Sequence, residues 1–227
     1  MNVLLKRMMG AAMVAATAIG FTATSAFAQG DQQVLVDQAT TTVSNFIRDP
    51  EMKWLQQNFG RAKAVMISPE IVKAGFIIGG SGGRAIVVAK AGGKWVGPSF
   101  YTMATASVGF QAGVAVSEMV TLVMTDKGLN SLLAANFKMG GDASVAAGPV
   151  GAGAKSDIQA DLITFTRAKG VYGGLNLDGT LVNLSDEWNK AYYGKVVLPP
   201  DILIKASVSN KGADKLLAEV ARAAGGK

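Results

Sequence analysis

The chain has 227 residues, 28 of them glycine, with 22 lysines and arginines against 16 aspartates and glutamates and a formal net charge of +6. It contains no cysteine and no histidine. Those absences exclude disulfide scaffolds, zinc sites built from Cys and His, and every catalytic arrangement that needs an imidazole base.

Lys6 and Arg7 precede an apolar run from Met8 to about Phe21, and Ala26-Phe27-Ala28 forms a small-x-small site before Gln29. This layout predicts a secretory signal peptide over 1–28, cleaved near Ala28. The apolar run is too short and too poorly flanked for a stable membrane span. Residues 29–227 are then expected in the periplasm or cell envelope as one mildly basic domain. No run of five or six like charges is present, so no nucleic-acid tail is expected.

Asp31 to Arg48 has helical spacing, with Val36, Ala39, Val43 and Phe46/Ile47 on one face. Asp49-Pro50-Glu51 reads as a fresh helix start, followed by a stripe of Met52, Leu55 and Phe59 and a stop at Gly60. From Ala64 the chain turns β-prone. Ala64–Ser68 is a short strand stopped by Pro69, and Gly75–Ile78 and Ala85–Lys90 are two more. Ala91-Gly92-Gly93-Lys94 is a turn into Trp95-Val96. Tyr101–Thr125 is a long stretch of small and β-branched residues in which Gly109 and Gly113 mark bulges or close backbone approach. Trp95, Phe100 and Tyr101 are read as core, with an anchor for a protein partner as their other use.

Asp126 is expected to cap a short helix carrying Leu129, Leu132 and Leu133. Lys138–Lys155 reads as strand, turn and strand around Gly148-Pro149. Leu162–Thr166 and Val171–Leu177 are strands, the second joined through Asp178-Gly179 to Thr180–Asn183. Ser185 opens a helix with Trp188, Ala191 and Tyr192, closed by Gly194. Asp201–Ala206 fits helix and strand equally. A final helix starts at Asn210, buries Ala213, Leu216/Leu217 and Val220, and stops at Gly225. The sum is an α+β single domain: a bent, mainly antiparallel β-sheet or partial barrel with helices at both ends. Aromatic residues make up only 7% and form no paired girdles, which counts against an integral outer-membrane barrel.

The stretch Gly75-Phe-Ile-Ile-Gly-Gly-Ser-Gly-Gly-Arg84 matches two functional patterns on paper. Gly80-x-Gly82-x-x-Ala85 fits a dinucleotide fingerprint, and Gly79-x-Ser81-x-Gly83 fits a nucleophile elbow. Both need a helix directly afterwards, and Ala85-Ile-Val-Val-Ala is β-prone. The elbow also needs a histidine. The glycines are therefore read as backbone residues, with Gly-Gly-Ser-Gly-Gly as a hairpin tip and Arg84 leaving it. Asp142, Asp157 and Asp161 match no acid-pair or metal spacing. No enzyme activity, cofactor or metal is expected.

Seven motifs then occur in order. They are Ala64-Val-Met-Ile-Ser-Pro69, Gly75 to Arg84, Trp95-Val-Gly-Pro-Ser-Phe100, Ser107-Val-Gly-Phe-Gln111, Ala147-Gly-Pro-Val-Gly151, Arg167-Ala-Lys-Gly-Val-Tyr-Gly-Gly-Leu175 and Asn189-Lys-Ala-Tyr-Tyr-Gly194. Together, from about Arg61 to Ala206, they resemble the SYLF family. That family is a lipid-binding module. Its eukaryotic members bind phosphoinositide membranes, its yeast members also bind and bundle actin, and its bacterial members typically carry export signals. The resemblance implies peripheral binding of anionic phospholipid without catalysis, with Arg84, Arg167 and Lys169 as headgroup contacts. Lys53, Arg61 and Lys63, beside the matched region, extend that set. The alternative is an envelope scaffold or protein-interaction module with the same fold and no lipid specificity. Some relatives enter membranes through a basic amphipathic segment before the domain. Here Asp31, Asp37, Asp49 and Glu51 outweigh Arg48 in that segment, so insertion by it is not expected.

Overall fold

The structure is a computed structural model that describes residues 30–75, 78–108, 113–151, 158–168 and 177–225. Helix α1 (Asp31–Arg48) forms as its spacing predicts and buries Leu35, Val36, Ala39, Thr42, Val43 and Phe46. Asp49 caps the next turn through its side chain, which accepts from the Glu51 N–H at 3.0 Å, and Pro50 occupies the first position. A 3-10 turn (Pro50–Met52), helix α2 (Lys53–Asn58) and a second 3-10 turn (Phe59–Arg61) follow. The strands are β1 (Ala64–Gly75), β2 (Ile78–Ala91), β3 (Lys94–Val108) and β4 (Gly113–Val123). After α3 (Asp126–Leu133) come the short β5 (Asn136–Lys138) and β6 (Val145–Ala147), then β7 (Leu162–Ala168) and β8 (Leu181–Leu184). Helices α4 (Asp186–Tyr193), α5 (Pro199–Leu203) and α6 (Asp214–Ala224) complete the chain.

The eight strands among the described residues form one sheet in the order β5-β8-β3-β2-β1-β4-β7-β6. Every pairing is antiparallel except β6 with β7. The sheet curls into a half-barrel of the α+β class that the sequence predicts. Its lower half is buried on both faces. On one face Val65, Ile67, Ile86, Val88, Phe100, Val120, Leu122, Ile163 and Phe165 pack under α1, α2, α4 and α6. On the other, Met66, Val87, Tyr101, Met103, Met119 and Leu162 meet residues from α3, α5, β5 and β8. Alternation along each strand sends successive side chains into the two cores. Phe100 and Tyr101 are therefore core residues, and Tyr101 Oη donates to the Leu132 carbonyl at 2.6 Å. Trp95 is half-buried against Phe59.

Several local expectations need correction. Pro69 does not stop β1. The strand runs on to Gly75, and its pairing slips between Ile67 and Glu70 on one side and between Ser68 and Ile71 on the other. Proline lacks the N–H that regular pairing needs, so it sits where the ladder is already broken. Gly79–Gly83 is not a hairpin tip but the middle of β2, paired with β1 on one side and β3 on the other. None of these glycines has a positive φ. What they supply is close approach: a Cβ on Gly83 would lie 2.3 Å from the Glu70 carbonyl oxygen. Lastly, Tyr101–Thr125 is two strands. Gly113 begins β4 rather than bulging a continuous one, and Gly109 lies outside the described residues. The strand expected over Val171–Leu177 likewise falls largely outside them, while Asp178-Gly179 makes the expected turn, with φ +82° at Gly179. Helix α3 is capped by Thr125, one residue earlier than expected.

Candidate functional site

Among the described residues, the basic positions named from the sequence do not converge on one site. Arg84 lies on the helix-facing side of β2, level with Glu70 of β1. Its guanidinium stacks 3.9 Å from the centre of the Trp188 ring, which itself packs on Phe100. Among the described residues no carboxylate comes within 4.0 Å of it. With Asp31, Val34, Gln38 and Glu70 it lines an open cavity of about 340 Å³ between the start of α1 and the sheet.

Arg167 is differently engaged. From β7 its Nε donates to Glu118 Oε2 at 3.0 Å, its second terminal nitrogen holds the same oxygen, and Asp49 lies 3.7 Å from the first. Thr42 Oγ1 of α1 donates to the other oxygen of Glu118 at 3.1 Å. The group ties β7 and β4 to both ends of the α1–α2 corner. A phosphate bound by Arg167 would have to compete with two carboxylates. We expect Arg167→Ala to lower stability by about 2 kcal/mol, because Glu118 loses its counter-charge while staying partly buried. The urea midpoint of the variant, compared with that of Arg167→Lys, reads this directly.

Lys53 is exposed on α2, and Lys63 pairs with Asp126 at 2.8 Å. Lys169 lies outside the described residues. Arg61 donates to Asn58 Oδ1 at 2.8 Å and faces a cleft that sequence reasoning missed. There Arg48, Arg61 and Arg222 line an open cavity of about 590 Å³ together with Gln56 and Gln57. Arg48 and Arg222 each occupy the last turn of a helix, α1 and α6, where a cation is favoured by the helix dipole. Arg222 is steadied by Glu219, its Nε 3.0 Å from Oε2, and this bond pulls the Glu219 carboxyl below its ordinary range. The end of α6 lies so close to the 3-10 turn that a Cβ on Gly60 would meet the Ala224 carbonyl at 2.5 Å. That contact fixes Arg61 relative to Arg222. In the sequence Arg222 is far from Arg48 and Arg61. Only the packing of α1 on α6 unites them. The available signal was positional, since each helix arginine falls in the final turn of an amphipathic segment.

A third cavity, of about 510 Å³, shares Arg61 and is lined by Trp54, Thr125, Ser144 and Asp161. Asp161, one of the aspartates that match no acid-pair or metal spacing, is a buried hub. It accepts from Thr125 Oγ1 at 2.5 Å and from the Ser144 N–H and Oγ at 2.9 and 2.8 Å, with Lys127 at 3.6 Å. These bonds, led by Thr125, hold its pKa down at about 2. Every partner is internal, so this cavity has a structural wall rather than a reactive one. Among the described residues no group of three or more acidic side chains is arranged to hold a metal ion, and no helix is long and apolar enough to cross a membrane.

A protein-family model described as "Ysc84: Las17-binding protein actin regulator" matches residues 104–223, from within β3 to the last turn of α6. The human SH3 domain-containing YSC84-like protein 1 is 31% identical over 149 residues, covering 63% of this chain and 43% of that protein. The LAS seventeen-binding protein 3 of Saccharomyces cerevisiae is 30% identical over 142 residues, covering 59% of this chain and 31% of that protein. The chain thus spans less than half the length of these curated relatives. The family match extends over more than half of the residues and agrees with the ordered motifs read from the sequence, and the chain therefore belongs to the Ysc84, or SYLF, family.

Proposed function

We propose that this protein is an exported, peripheral, non-catalytic binder of anionic phospholipid at the cell envelope. The observation that carries the reading is the cleft in which Arg48, Arg61 and Arg222 share one open cavity. Three arginines lining a common space, Arg222 among them already bonded to Glu219, suit a phosphate or phosphodiester headgroup, which accepts charge-assisted bonds from several donors at once. The exposed Lys53 on the neighbouring helix widens the positive surface, while Lys63, just beyond the turn that carries Arg61, is paired with Asp126. Arg84 and Lys169 remain secondary contacts, and Arg167 contributes only where lipid displaces its carboxylates. Family membership supports the binding-type reading over an enzymatic one.

Attraction of this kind amounts to about 1 kcal/mol per basic residue near an anionic surface and weakens with salt. Co-sedimentation with vesicles of phosphatidylcholine alone and with added phosphatidylglycerol tests it. We expect salt-sensitive pelleting with the anionic vesicles only. The triple variant Arg48→Ala, Arg61→Ala, Arg222→Ala should weaken it by roughly 100-fold, the equivalent of about 3 kcal/mol. Unchanged pelleting of that variant would refute the cleft as the headgroup site. No pelleting with any vesicle would favour the scaffold reading.

A further inference from the structure

Among the described residues, the helix-facing side of the sheet is covered only over its lower half. Beyond the start of α1 two cross-strand rows lie bare. Leu181, Ala104, Gly82, Val72 and Val116 are paired neighbours from β8 across to β4. Ala106, Gly80, Ala74 and Val114 form the next row. Every one of these residues is apolar, and Leu181 and Val114 are 50% and 70% exposed. Gly80 and Gly82 place no side chain between Ala104/Ala106 on one flank and Val72/Ala74 on the other. The face therefore carries a trough along β2, about 10 Å wide between the flanking backbones. Its inner end opens into the cavity of about 340 Å³ lined by Val34 and Leu35. Arg84, two residues past Gly82 and facing the same way, stands at that end over Trp188.

The shape selects the occupant. Two rows across five strands amount to roughly 300 Å², well below the ~800 Å² per partner of a stable protein interface. The rows also hold no Trp, Tyr or Arg to anchor a protein partner. An unbranched hydrocarbon needs neither. A glycine floor between alanine and valine walls gives it continuous van der Waals contact along the two rows. A carboxylate at the inner end would meet the Arg84 guanidinium, which among the described residues has no carboxylate within 4.0 Å. We propose that the trough binds one long-chain fatty acid, with its carboxylate at Arg84 and its chain along Gly82 and Gly80. Glu70 and Asp31, which also line the cavity, oppose the anionic head and limit its affinity. The site stands apart from the arginine cleft, at the other end of the 18-residue α1, about 27 Å away.

Isothermal titration of the full chain with palmitate and with octanoate, each below its micelle concentration, tests the proposal. We expect palmitate to bind at least tenfold more tightly than octanoate. Ala104→Glu, at an exposed wall, should weaken palmitate at least tenfold, and Arg84→Ala about fivefold, with thermal melting unchanged in both. Glu70→Gln should tighten it. Ala106→Glu on the outer row replaces Ala104→Glu if that variant melts early. Equal affinity for the two acids, or palmitate binding indifferent to the wall variants, would overturn the trough. So would concentration-dependent dimers in sedimentation velocity that Ala104→Glu abolishes, since the face would then be a self-association surface. Retained palmitate binding by the triple arginine variant of the cleft keeps this result separate from the vesicle experiment.

Discussion

Gly83→Ala will destabilise the protein by about 3–5 kcal/mol and lower its melting temperature by roughly 10 °C or more. The added methyl would sit 2.3 Å from the Glu70 carbonyl oxygen and 3.3 Å from the Ile71 Cα. Both obstacles are backbone, so no side-chain rotation relieves the clash. The kink that brings β1 so near is held on both sides. Its pairing slips around Pro69, and Ser68 Oγ donates to the Arg84 carbonyl at 2.7 Å. Moving the kink away would break that bond and disturb β4 as well. Gly92→Ala is the matched control. Its Cβ meets nothing within 4 Å, although its φ is +57°. Its cost should stay at about 1 kcal/mol, the strain of a left-handed alanine. Melting curves of the two variants separate close approach from backbone conformation, and a Gly83→Ala melt no lower than that of Gly92→Ala would contradict the account.

Asp161→Ala should cost about 3 kcal/mol at neutral pH. The loss strands the Ser144 N–H and the Thr125 hydroxyl, and it unties the segment before β7 from the Thr125 cap of α3. The same carboxylate sets an acid dependence. Its pKa falls from 3.8 to about 2 on folding, chiefly through the Thr125 bond. A depressed folded pKa means that the stabilisation is fully present above pH 4 and disappears as the pH falls through 2. The amount is about 2 kcal/mol. Urea midpoints measured from pH 5 down to pH 2 should therefore fall more steeply for the wild type than for Asp161→Asn, which has nothing there to protonate. Parallel curves would show that the hub contributes no pH dependence.

The residues differ in how far their sequence context reveals their role. Helix α1 is legible because its buried positions repeat at the helical period and little else competes. The cap at Asp49 is legible because a proline follows it. The glycine stretch misleads because glycine has two uses, positive φ and close approach, and local sequence does not separate them. Here the second use comes from a kink more than ten residues away, at Pro69. Pro69 misleads for the complementary reason: a strand that tolerates a register slip can carry a proline through. The role of Asp161 is hidden in the sequence because Thr125 and Ser144 are brought to it only by the parallel pairing of β6 with β7 and the cap of α3. The candidate sites divide in the same way. Arg84 and Arg61 were named from their neighbours in sequence, whereas Arg48 and Arg222 acquire a role only when α1 packs on α6.

The strand order bears on how this family's unit is delimited. The family model matches residues 104–223, yet these are not a folding unit. They contain β4 with β7 and β6, and the end of β3 with β8 and β5. Between β3 and β4 in the sheet stand β2 and β1, contributed wholly by earlier residues. An excised 104–223 fragment would hold two separate strand groups with their central spacer missing and the residues facing it exposed to water. The minimal independently folding piece must begin before Ala64, and it needs α1 to cover the helix-facing core.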